Sequence, residues 1–143
     1  EKNDQGVLFS TGTENSGISI FIQNERLVVD YNAFDDHSVV TSNIKIPIGY
    51  STLRAQFRRL KRGGEITIYV NEEPSGSIEI PLFMRMISSV GSSIGYDHGS
   101  AVSPQYESPF PFSGELHQIE IQLAAKRAPD ADQAQARAEN ARQ

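Results

Sequence analysis

The chain has 143 residues, no cysteine, no tryptophan and a formal net charge of -5. That length fits one domain with a core of its own; the missing thiols exclude disulfides, thiolate metal sites and a cysteine nucleophile, and the acidic balance argues against a nucleic-acid partner. No run nears the roughly eighteen apolar residues of a membrane-spanning helix, no signal-peptide pattern opens the chain, and a start at Glu1 rather than Met fits a piece of a longer protein of open compartment.

In chain order, Ile18, Ile20 and Ile22 alternate with Ser19, Phe21 and Gln23, and Leu27, Val29 and Tyr31 with Val28, Asp30 and Asn32. Leu53, Ala55 and Phe57 alternate with Arg54, Gln56 and Arg58, then Ile66, Ile68 and Val70 with Thr67 and Tyr69. Ile78 and Ile80 make a shorter run around Glu79, and Ile119, Ile121 and Leu123 close the set. Period two with one apolar face marks half-buried antiparallel strands. Turn residues at 12–17, 24–26, 61–64 and 71–76 separate these runs at hairpin intervals. Leu116 is out of phase with Ile119, which predicts a β-bulge near His117. The pattern predicts an all-β, antiparallel β-sandwich over residues 1–123. Residues 124–143 carry no large apolar side chain. They read as a polar, Ala-rich tail, disordered or a marginal helix starting at Pro129.

Residues 95–116 read GYDHGSAVSPQYESPFPFSGEL, with Gly95, Asp97, Gly99, Ser100, Val102, Ser103, Tyr106, Pro109, Phe110, Phe112 and Gly114 at set spacings. Together with an opening Gly6-Val7-Leu8 and strand patterns at 17–21, 26–32, 52–57 and 64–71, this block resembles one family. That family is the C-terminal concanavalin A-like (laminin-G-like) jelly-roll domain of bacterial arylsulfatase-like proteins. The resemblance implies a jelly roll and a non-catalytic accessory role, structural or substrate-positioning, with the sulfatase catalytic domain of the parent chain as partner. In such enzymes a Cys or Ser in Cys/Ser-x-Pro-x-Arg becomes formylglycine beside a divalent metal. No such motif occurs here, and Ser108-Pro109 has its proline one place too early. The family's charged Gly-Arg-Asp turn is replaced by Gly95-Tyr96-Asp97.

A retaining glycosidase needs two carboxyl groups about 5–5.5 Å apart. Glu120 is flanked on its own face by Gln118 and Gln122, Glu79 stands between two isoleucines, and Glu72-Glu73 falls in a turn, so no pair is evident. His37, His98 and His117 are scattered singly, unlike zinc ligands, and read as surface residues. Asp35, Asp36 and Asp97 are candidates for calcium, which takes hard oxygen ligands; no other cofactor is expected. Carbohydrate is the alternative partner, since sugars stack on aromatic faces and bond to amides and charged groups. Arg54, Gln56 and Arg58 would share one strand face beside Thr67 and Tyr69, with Tyr96 and Tyr106 as further aromatics. Bidentate arginine bonds would suit sulfate or uronate groups. Of Phe110 and Phe112, at least one should plug the sandwich edge.

Overall fold

A computed structural model describes residues 4–12, 16–81, 92–97 and 101–118 of the chain. Eight strands occur among them: β1 Gly6–Gly12, β2 Gly17–Gln23, β3 Arg26–Ala33, β4 Asp36–Thr41, β5 Leu53–Arg59, β6 Gly64–Val70, β7 Glu73–Ile80 and β8 Ser92–Ile94. They form an all-β structure, with no helix among the described residues. One sheet has five strands in the order β4-β3-β2-β1-β8 and the other three in the order β5-β6-β7. Among the described residues every ladder is antiparallel, and a parallel bridge joins Val7 to Pro111.

Four alternating runs of the sequence are β2, β3, β5 and β6. β7 is longer than the pair Ile78 and Ile80 implied, because the expected turn over 71–76 contracts to Asn71 and Glu72, both at positive φ. Pro74 lies inside β7 instead, which is an edge strand and can spare an N–H. Asn24-Glu25 and Phe34-Asp35 repeat the device, a two-residue hairpin loop with both φ values positive. Bulges sit at Val7/Phe9 and Thr67/Tyr69. No strand includes His117 or Gln118; the closing strand at 119–123 and the tail at 124–143 lie outside the described residues, as does His98.

The two sheets face one another across the main core. Leu27, Val29 and Tyr31 of β3, with Ile22 of β2, pack on Ile66 and Ile68 of β6 and Ile80 of β7. Burying each such side chain contributes about 1.5–3 kcal/mol. This arrangement is consistent with a sandwich. Along one edge β4 runs into β7, where the Asn43 N–H donates to the Ser75 carbonyl at 2.8 Å. Gly76 permits the approach: its φ is +134°, and a Cβ there would stand 3.1 Å from the Thr41 carbonyl oxygen.

The other face of the five-stranded sheet is covered too. The segment after β8 returns across it, and Val7, Phe21 and Val28 pack against Tyr106, with Phe110 alongside. The covering chain is tied to β1 and its flanks by Val7 N–H to Phe110 O at 2.9 Å and Ser113 N–H to Gln5 O at 2.9 Å. At Gly6 the two chains nearly touch, since a Cβ would meet the Pro111 carbonyl oxygen at 2.2 Å. Phe110 thus plugs this second core and Phe112 packs on the first.

Candidate binding surface

The antiparallel register of β5, β6 and β7 sets Arg54 opposite Tyr69, Gln56 opposite Thr67 and Arg58 opposite Glu65. Thr67 in turn opposes Ser77, and Glu65 opposes Glu79. These residues form a grid on the outward face of the three-stranded sheet, because Ala55, Ile66, Ile68 and Ile78 take the inward positions. The strip Arg54, Gln56, Arg58 and Tyr69 is therefore assembled as the alternation implied. Its arginines already have partners. The Arg54 guanidinium lies 3.9 Å from the Tyr69 ring centroid and 3.7 Å from a Glu72 carboxylate oxygen. Arg58 donates to Glu65 at 2.6 Å, and the Tyr69 hydroxyl donates to Gln56 Oε1 at 3.0 Å.

These pairs change the electrostatics expected of the strip. Two arginines stand among Glu65, Glu72 and Glu79, so the face is not a cationic stripe. Glu79 has a carboxylate neighbour in Glu65, directly across the strands, which is unfavourable for two like charges. Arg58 offsets that repulsion by holding Glu65.

The remaining candidates lie elsewhere. Tyr96 is exposed and follows β8 on the other sheet. Tyr106 is only 8% exposed, and its ring stacks on Phe110 at 5.1 Å and meets Phe21 edge-on at 5.0 Å. A ring so enclosed has no face left for a sugar, which corrects its place among the carbohydrate candidates. Asp97 is likewise buried. It accepts bonds from Val102 N–H at 3.0 Å, Ser10 Oγ at 3.3 Å and the Tyr106 hydroxyl. Its carboxylate serves the covering segment, apart from Asp35 and Asp36 at the β3–β4 turn. Among the described residues no group of three or more His, Cys, Asp or Glu side chains is placed to hold a metal ion.

A buried polar row is what the sequence reading missed. Ser93, Ser10, Ser19 and Asp30 oppose one another across β8, β1, β2 and β3. Ser19 Oγ lies 2.7 Å from the Tyr106 hydroxyl, and Asn32 donates to the Val102 carbonyl at 3.2 Å. Asp30 is fully buried and bonds His37 Nδ1 at 2.8 Å through Oδ1, while its Oδ2 has no partner. His37 is thus a half-buried partner of Asp30, with Asp35 at 3.5 Å from its other ring nitrogen, not an ordinary surface histidine. Burial first, and the bond to Asp97 next, push the Tyr106 phenol well above its ordinary value, so it stays protonated.

At the seam between β4 and β7 lies an open groove of about 560 Å³, lined by Val39, Thr41, Asn43, Thr67, Ser77 and Ile78 among others. Apart from it, exposed Ile48 and Tyr50 lie on the β4–β5 connection, and the Tyr50 ring is 5.5 Å from His117, next to exposed Leu116.

No family model, curated protein or solved structure matches this chain. The class these observations define is an all-β protein of two antiparallel sheets with a covered outer face.

Proposed function

We propose that the chain is a non-catalytic accessory domain of an arylsulfatase-like protein, folded as a concanavalin A-like jelly roll, that acts by presenting surfaces to the sulfatase catalytic domain. One observation carries this reading. The block behind the family resemblance supplies Asp97, Val102, Tyr106 and Phe110, and these residues are spent on covering the five-stranded sheet. Groups with chemical potential, namely Asp30, Asp97 and Tyr106, are buried and serve architecture. The surface offered for docking is apolar, with Ile48 73% and Tyr50 80% exposed. The test mixes this chain with an arylsulfatase catalytic domain lacking its C-terminal domain and follows association by sedimentation. Saturable association that Ile48→Asp/Tyr50→Asp abolishes is expected; no association with the parent chain sinks the reading.

A second reading, carbohydrate binding, is favoured by the grid on β5 and β6. There Arg54, Tyr69 and Gln56 are held in fixed orientation by their own contacts, as a preorganised sugar site would hold them. A glycan array that includes sulfated polysaccharides, probed with the parent chain and Arg54→Ala/Arg58→Ala, tests it. Saturable binding supports it, loss of that binding in the variant would centre the site on the arginines, and an empty array refutes it.

A further inference from the structure

We propose that the groove between β4 and β7 is a binding site for neutral, hydroxyl-rich oligosaccharides; this rests on the carbohydrate reading and moves its centre away from the arginines. The first observation is the lining. Thr41, Asn43, Thr67 and Ser77 bring hydroxyl and amide groups, Val39 and Ile78 bring apolar surface, and no lining residue is charged. Such a wall pairs with hydroxyl donors and acceptors and offers sulfate or uronate groups no counter-charge. The volume of about 560 Å³ lies within the usual range for small-ligand sites.

The second observation is continuity. Gln56, Thr67 and Ser77 stand in one cross-strand row, so the polar track on the outer face leads straight into the groove. At about 4.8 Å between strands, that row spans roughly 10 Å. A chain of sugars has a path from Gln56 over Thr67 and Ser77 to Thr41 and Asn43 across the seam. The third observation is rigidity. The Asn43 N–H is held by the Ser75 carbonyl and hydroxyl at 2.8 Å and 2.9 Å, and Gly76 sets β7 against β4, so both walls are fixed before any ligand arrives. The arginines, paired with Glu65 and Glu72, flank this path and do not form its floor.

The experiment titrates the isotopically labelled full chain with cellohexaose, mannohexaose and a chondroitin sulfate hexasaccharide, following amide shifts by NMR. Ser77→Arg plugs the groove at an exposed position, and Thr41→Ala/Ser77→Ala removes hydroxyls without adding bulk. Saturable shifts with a neutral hexaose, centred on Thr41, Asn43, Thr67 and Ser77, are expected. Affinity should fall at least about tenfold in both groove variants and by less in Arg54→Ala/Arg58→Ala, whose arginines flank the path. Binding lost in the arginine variant and kept in the groove variants overturns this site while the carbohydrate reading stands. Binding of the sulfated hexasaccharide alone also overturns it. No binding of any hexaose overturns both.

Discussion

Replacing Tyr106 with Phe removes one oxygen and leaves the ring, so it isolates the polar link between the covering segment and the sheet. The hydroxyl bonds Ser19 Oγ at 2.7 Å and the Asp97 carboxylate, and all three residues are buried. A hydrogen bond to a charged group contributes about 1.5–3 kcal/mol, and a buried Ser19 left without that partner adds about 1 kcal/mol or more. The stacking with Phe110 and the edge contact with Phe21 persist. The expected loss is about 3 kcal/mol, a large part of the roughly 5–15 kcal/mol by which domains are stable. Urea unfolding followed by far-ultraviolet circular dichroism measures it, and a double-mutant cycle with Ser19→Ala reports the coupling. A Tyr106→Phe protein within about 0.5 kcal/mol of the parent would refute the assignment.

The same residue predicts a pH dependence. Burial, then the bond to Asp97, raises the phenol's pKa in the folded state above its ordinary 10.0. The unfolded chain therefore releases this proton first as pH rises, and the contribution is fully present below about pH 10. Above that it declines by about 1.4 kcal/mol per pH unit. The difference in slope between parent and Tyr106→Phe, measured from about pH 9 to about pH 11, isolates this group from the other tyrosines and the lysines.

Gly6→Ala should cost more than about 3 kcal/mol, since its Cβ would overlap the Pro111 carbonyl oxygen at 2.2 Å and lever the covering segment off β1; a small effect in thermal unfolding would mean that the segment does not pass there. His37→Ala removes the bonded partner of the buried Asp30 carboxylate, and a loss of about 2 kcal/mol in denaturant unfolding is expected. An unchanged midpoint would show that the pair does not form. Phe34→Asn should instead raise the unfolding free energy by up to about 1 kcal/mol, because Phe34 is exposed at φ 54°, a conformation that asparagine tolerates better. A destabilised variant would contradict that geometry.

Alternation alone placed β2, β3, β5 and β6, and with them the outward set Arg54, Gln56, Arg58 and Tyr69, because side chains on a strand change face at every residue. Turn chemistry was legible where asparagine leads a hairpin loop, at Asn24 and Asn71, and misleading at Pro74, which belongs to an edge strand. The pairing of Arg58 with Glu65, and with it the mixed charge of the face, required the register. Tertiary structure alone decided which polar residues are surface. Ser10, Ser19, Asp30 and Asn32 occupy positions of their strands that face away from the main core. They are buried because a segment some eighty residues further on lies across them and supplies Tyr106, Asp97 and the Val102 carbonyl. Water and a distant hydroxyl satisfy a serine equally well in a local pattern, so only the return of the chain distinguishes them.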